Sequence, residues 1–341
     1  MTLRPGKLPQ ALLAELLATL PHTDPRVLLG PAVGRDAAVI DIGGGRVLVA
    51  KMDPVTFAAE DIGWYAVNVN ANDIACMGAA PSWFMATALL PEGAAESLAR
   101  HLFDGLTAAC DALGIVLIGG HTEVTPGIDR PIVAGAMLGE AARDDIVDGT
   151  RVAPGDAVLL AKPVAVEGTA LLAREAADDL RAAGLSDAII ERAASLLFDP
   201  GISIVRAART VCSVTRPHLM HDPTEGGIAT ALQELAEAAG LTLRVDVDAI
   251  DVLPETRAIC GALALHPLGL LASGSLLVLV APDDAAAVKD ALDSVKFACR
   301  RIGTAESGAA RVIMPSEEST PLPVFERDEL ARYFERERGK R

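Results

Sequence analysis

Two mixed α/β (α+β) halves joined near residue 150 are what this sequence predicts. Strand-like and helix-like segments alternate along all 341 residues, the signature of sheets covered by helices. Hydrophobic residues make up 51% of the chain and aromatics only 3%, so its large core must be built from Ala, Val, Leu and Ile. Midway, a turn cluster of Gly149, Pro154, Gly155 and Asp156 interrupts the alternation, which then starts afresh. The length exceeds what one ordinary core organises. The expected division is 1–150, 151–315 and a charged tail at 316–341.

Taken in order, residues 7–20 read as an amphipathic helix. Segments 36–42 and 46–53 read as strands joined by the turn Gly43–Gly45. The next helix takes Asp61 as its N-cap and stops at Gly78, with Pro81 just beyond. A strand at 82–90, a helix at 94–114 halted by Gly114, and strands at 115–120 and 131–141 complete the first half. The second half reads as strand 157–161, helices 167–183, 186–198 and 202–212, and the helix opened by "HDPTEGG". Strand 241–247, helix 254–264, strand 275–282, helix 283–294 and strand 298–305 follow. The tail "FERDELARYFERERGKR" is expected to be a frayed surface helix.

Several function classes are excluded. The net charge of −16 argues against nucleic acid as the main partner. It permits an anionic small ligand, held by backbone amides and metal ions. The longest apolar run, "LGLLASGSLLVLVA", is interrupted and too short to span a bilayer, which takes roughly 20 residues. Residues 1–17 lack a signal-peptide cleavage site. The five cysteines show no CxxC spacing, which suits reduced core thiols in a cytoplasmic protein. Neither a P-loop nor a GxGxxG fingerprint is present.

Four groups of polar residues sit where apolar ones would be cheaper. Asp36 and Asp53 stand at the outer ends of two strands joined by a tight turn. They are either turn residues in water or a side-by-side carboxylate pair, and such a pair repels unless a cation such as Mg²⁺ lies between. In "AVNVNANDIACMG", Asn68 and Asn72 share a helix face and Asp73 adjoins them. Asn and Asp are poor helix-interior residues, so they either tie the helix to a sheet or bind metal or phosphate. In "IGGHTEVTPG" an apolar strand is expected to end in Gly119 and Gly120, where a backbone can approach a ligand. His121, Thr122 and Glu123 follow, and Glu123 is the better metal or base candidate. In "HDPTEGG", Asp222 or Thr224 can cap the helix. Gly226 and Gly227 leave its first-turn amides open to an anion.

In this order, these segments resemble the superfamily of PurM-like, AIR synthase-related ATP-dependent enzymes. "GRDAAVI", "MDPVTF", "AVNVNANDIACMGAAP", "GGHTEV", "HDPTEGGIATALQELA" and "ASGSLL" carry the resemblance, over roughly residues 30 to 315. The fifth segment is most similar to the hydrogenase-maturation branch, HypE. The resemblance implies a PurM-like fold whose N-terminal domains pair through their sheets in a homodimer, with a C-terminal α/β sandwich domain. It implies ATP in a cleft near that interface, with Mg²⁺ on Asp36, Asp53, Asp73 and Asp222. Asn72, Gly119, Gly120, Thr122, Thr224, Gly226 and Gly227 would line the nucleotide, and Glu123, His121 and Asp222 would take part in catalysis.

The chain also departs from its relatives. It ends in "ERERGKR" where HypE ends in a carbamoyl-accepting cysteine, so carbamoyl dehydration is not expected. "GGHT" replaces Gly-Gly-Asp-Thr, so His121 removes a metal carboxylate of the kinase branch. No thiamine pocket can be matched, and nothing at the start resembles the nucleophile region of selenophosphate synthetase. The expected function is phosphoryl transfer from ATP to a small, unidentified acceptor. A thiamine-monophosphate-kinase-like enzyme and a nucleotide-binding scaffold without turnover are the alternatives.

Overall fold

The computed structural model describes residues 8–21, 24–32, 37–314 and 321–338. The chain divides into two compact units, Leu20–Ile146 and a second made of Met1–Thr19 with Val147–Arg341. Helix α1 (Gln10–Ala18) counts with the second unit.

In the first unit, β1 (Val27–Leu29), β2 (Ala38–Gly43), β3 (Arg46–Val55), β4 (Ala80–Pro91), β5 (Val116–Thr125) and β6 (Ile132–Ala142) form a sheet of order β1-β2-β3-β6-β4-β5. Helices α2 (Ile62–Cys76) and α3 (Glu96–Leu113) cover one face. The alternation along β6 shows which face it is: Val133, Gly135, Met137 and Gly139 are buried, while Ile132, Ala134, Ala136 and Leu138 are not. The glycines matter for closeness. A Cβ on Gly135 would lie 2.6 Å from the Asn70 amide, and one on Gly63 would lie 2.4 Å from the Leu102 carbonyl of α3. Asp61 stands at the start of α2 as expected but does not cap it. Its φ is 53° and its side chain makes no cap bond; one oxygen lies 3.3 Å from His101 Nε2 instead.

The "GG" of "IGGHTEV" is not a strand end. Strand β5 runs through it to Thr125, parallel to β4, with Phe84 opposite Leu117 and Met85 opposite Gly119. Ile118 is thus an extra residue, a bulge that re-aims the side chains beyond it. Gly119 and Gly120 have φ of 157° and 152°, a backbone region essentially closed to residues with a Cβ. Periodicity could not show this, because the bulge breaks the period at the two residues that read as a stop.

The second unit holds a sheet of order β12-β9-β11-β7-β10-β8. Its strands are β7 (Ala157–Ala161), β8 (Leu219–His221), β9 (Thr242–Val245), β10 (Leu276–Val280), β11 (Cys299–Glu306) and β12 (Arg311–Ile313). Every residue of β7 and β10 is buried, so helices cover both faces. These are α4 (Val166–Glu175), α5 (Ala177–Ala182), α6 (Asp187–Ser195), α7 (Val205–Val214), α8 (Gly227–Ala239), α9 (Pro254–Leu263) and α10 (Ala285–Ser294). On one face Ile228, Leu232 and Leu235 of α8 pack with Leu160, Leu277, Leu279 and Ile302. Each such side chain contributes about 1.5–3 kcal/mol by leaving water.

Two expectations are corrected here. The tail is not frayed: α11 (Glu329–Arg338) docks with Leu330 and Tyr333 only 1% and 2% exposed. The Tyr333 hydroxyl also bonds Asp179, and His266 N donates to Glu329 at 2.8 Å. The cysteines are core thiols with one exception, exposed Cys212. Among the described residues no helix is long and apolar enough to cross a membrane.

Candidate functional site

Strand parity and helix α2 together bring two carboxylates and a lysine side by side in the first unit. Lys51 and Asp53 are two apart on β3, so both point to the helix-covered face. Asp73, near the end of α2, meets them there. The Lys51 ammonium lies 3.2 Å from Asp53 Oδ2 and 3.0 Å from Asp73 Oδ2. The side chains are 14% (Lys51), 35% (Asp53) and 4% (Asp73) exposed. A lone carboxylate as buried as Asp73 would be unfavourable, and stripping one partner from such a pair costs about 3–5 kcal/mol.

Position is held by a residue outside the sequence-predicted set. Asn70 accepts from Asp53 N at 2.8 Å and donates to Asp53 O at 3.2 Å and Ala66 O at 2.8 Å. Its amide therefore copies a strand neighbour and locks Asp53 against α2. A helix-to-sheet tie of the kind weighed for Asn68 and Asn72 is made by Asn70. Asn68 only bonds back to Trp64 O at 2.9 Å, and Asn72 is buried beside Asp73. Lys51 was legible, because strand parity alone puts it beside Asp53.

Asp36 lies outside the described residues. The rest of the first-unit set splits across the sheet. Asp53 pairs with Gly135, Gly135 with Ala86 and Ala86 with Gly120, so these share one face, as does Thr122 opposite Ala88. His121 and Glu123 pair with Thr87 and Leu89 and point to the other face. There His121 Nε2 is 3.1 Å from Glu123 Oε2, and Thr125 Oγ1 donates to Glu123 Oε1 at 2.9 Å. These bonds hold the Glu123 carboxyl below its ordinary range, which makes it a weaker base than expected. Neither residue faces the Asp53–Asp73 pair.

In the second unit, β8 delivers His221 and buried Asp222 to the start of α8. Gly226 and Gly227 take φ of 81° and 65°. Their amides are not open to an anion as the sequence suggested. Gly227 N donates to Thr224 O at 3.0 Å, and Gly226 N donates to Asp328 Oδ2 at 2.6 Å. Neither Asp222 nor Thr224 caps the helix; the tail's Asp328, 102 residues away, instead holds the turn that precedes it. Glycine at 227 is required sterically, since a Cβ would lie 2.4 Å from Leu268 O. Burial pushes Asp328 and the neighbouring Glu167 up to about 7. No sequence signal pointed to either residue.

Among the described residues, no group of three or more His, Cys, Asp or Glu could hold a metal alone. Two converging carboxylates nevertheless fit Mg²⁺, which commonly takes one or two carboxylates and completes its shell with substrate phosphates and water.

The class of molecule is now defined: two α/β units, with paired acidic side chains at a strand and a helix end of the first. The model of AIR synthase related protein, N-terminal domain, matches residues 34–141, and its C-terminal counterpart matches 153–314. The carbamoyl dehydratase HypE of Rhizobium leguminosarum is 30% identical over 270 residues, 76% of this chain and 73% of that one. A crystal structure of hydrogenase maturation protein HypE superposes with a TM-score of 0.69 at 26% identity, covering 89% of this chain and 94% of that one. Another, in complex with ATP, has a TM-score of 0.70 at 24% identity and covers 91% and 92%. The chain belongs to the AIR synthase related family, and its fold is the PurM-like fold of HypE.

Proposed function

We propose that this protein is an ATP- and Mg²⁺-dependent enzyme that activates an oxygen of a small acceptor by phosphoryl transfer. The observation that carries this reading is the convergence of Asp53 and Asp73 on one cation, with Asn70 fixing Asp53 from behind. The name carbamoyl dehydratase, borne by a relative, fits the same chemistry, since a carbamoyl oxygen leaves readily once it is phosphorylated. Mg²⁺ held at the pair would neutralise charge building on the phosphates. The protein's own part is positioning: α2 and β3 hold two carboxylates at fixed spacing. Asp36 is proposed as a further metal ligand.

Calorimetric titration with ATP, with and without Mg²⁺, tests the reading beside Asp53→Asn. Wild type should bind only when both are present, and the variant should lose binding and turnover while melting at a similar temperature. Undiminished turnover in Asp53→Asn would remove Asp53 from the mechanism. ATP binding without phosphate release, whatever acceptor is supplied, would favour a scaffold.

The open sheet face of the first unit supports a homodimer. Ile42, Met52 and Met85 on it are 48%, 63% and 37% exposed, and apolar patches of this kind mark interfaces. A second copy is the proposed occupant, pairing face to face. Light scattering should give twice the chain mass for wild type and a single chain for Met52→Asp. A monomeric wild type at micromolar concentration would rule the pairing out.

A further inference from the structure

We propose that Lys51 is a resident counter-ion that a divalent cation must displace from Asp53 and Asp73, so that metal binding there depends on nucleotide. This inference rests on the preceding reading and concerns the same two carboxylates.

The geometry sets the two cations against each other. Lys51 Nζ is within 3.2 Å of Asp53 Oδ2 and 3.0 Å of Asp73 Oδ2. A Mg²⁺ ion sits about 2.1 Å from such oxygens, so beside an ammonium on the same two carboxylates it would meet a like charge at close range and be repelled. Lys51 can yield. Its charge rides on a flexible four-carbon stem, whereas Asp73 is fixed in α2 and Asp53 is held through its backbone by Asn70. A displaced ammonium needs another anion. Asp53 and Asp73 would by then be engaged by the metal. The phosphates of the nucleotide supply the missing anion.

The consequence is a coupling between sites. Metal alone must expel Lys51 from both carboxylates, and nucleotide alone meets a lysine already engaged. Together, each lowers the cost of the other, and such coupling is reciprocal. A protein with bare carboxylates would load metal first and nucleotide afterwards.

The test is Mn²⁺ binding followed by electron paramagnetic resonance, with no nucleotide, on wild type, Lys51→Met and Lys51→Arg. Met keeps the stem and removes the charge, whereas Arg keeps the charge. Lys51→Met should bind Mn²⁺ about tenfold tighter than wild type, within the usual range for coupled sites, and Lys51→Arg should bind as weakly as wild type. A non-hydrolysable ATP analogue should tighten Mn²⁺ binding by a larger factor in wild type than in Lys51→Met. In melting experiments, Mn²⁺ should raise the stability of Lys51→Met well above its value in chelator and barely move wild type. Should Lys51→Met not fold, Lys51→Gln keeps a donor for one carboxylate and is read the same way. Equal Mn²⁺ affinity in wild type and the uncharged variant overturns the inference, even where wild type binds Mg²⁺-ATP. A wild type that binds no Mg²⁺-ATP overturns the functional reading, and this inference falls with it.

Discussion

Replacing Gly120 with alanine is expected to destroy the unit spanning 20–146, while the same change at Gly119 only weakens it. An added Cβ at 120 would lie 1.9 Å from the carbonyl oxygen of Ala86, 2.8 Å from its carbon and 3.0 Å from its nitrogen. These are backbone atoms of the adjacent strand β4, so no rotamer change relieves the overlap. Only separation of β4 and β5 does, and that breaks the parallel pairing from Met85 to Pro91. Gly119 has the same unusual backbone but nothing within 4 Å of its would-be Cβ. Its substitution therefore carries conformational strain alone, about 1–3 kcal/mol. At Gly120 strain and collision combine, which places the cost above about 4 kcal/mol, the range reserved for such severe cases. Trp64 and Trp83 are the chain's two tryptophans and both lie in this unit, so fluorescence-detected urea unfolding reports on it directly. Equal midpoints for the two variants would show that the close approach of β5 to Ala86 does not govern stability.

That contrast also shows how far the sequence could be read. Strands and helices with several turns of clean period were legible: β2 and β3 around their glycine turn, α3 up to Gly114, and β7 and β10 as solid apolar runs. Three-residue strands such as β8 and β12 offered no period to detect. The break between α4 and α5 falls at Ala176, where neither glycine nor proline marks it. In the candidate site, the residue types were visible before the geometry was. Asp53 and Asp73 stood out because carboxylates are costly beside apolar neighbours, and the structure brings them together on Lys51. His121 and Glu123 stood out for the same reason, yet the bulge at Ile118 and the parity of β5 send them to the opposite face. Which face a strand residue takes after a bulge depends on pairing with a partner strand, and the partner is not written locally.

Removing the Asp328 carboxylate is expected to loosen the start of α8 and to change how stability depends on pH. Helix α8 begins at a glycine with no capping side chain of its own. The Asp328 oxygens accept from Gly226 N at 2.6 Å and from Leu330 N at 2.7 Å, joining the glycine turn to the tail helix. Asp328→Ala loses the bond that holds this turn and orphans a buried donor, together about 3 kcal/mol. The charge matters as well as the shape. Burial raises Asp328 from 3.8, and Glu167 from 4.5, to about 7, with Asp222 and Glu225 adding like charge nearby. In the unfolded chain both carboxyls lose their protons near their ordinary values. Between roughly pH 4.5 and 7 the folded protein thus holds more protons than the unfolded one, and its stability falls as pH rises. The contribution is fully present below the unfolded values and is lost as pH passes 7. Asp328→Asn keeps the acceptor and never ionises. Its stability should decline less steeply than wild type from pH 5 to 8, and it should equal or exceed wild type at pH 8. Asp328→Ala should be weaker throughout. If urea midpoints of Asp328→Asn and wild type run parallel from pH 5 to 8, Asp328 does not titrate in this window and its role is that of an acceptor alone.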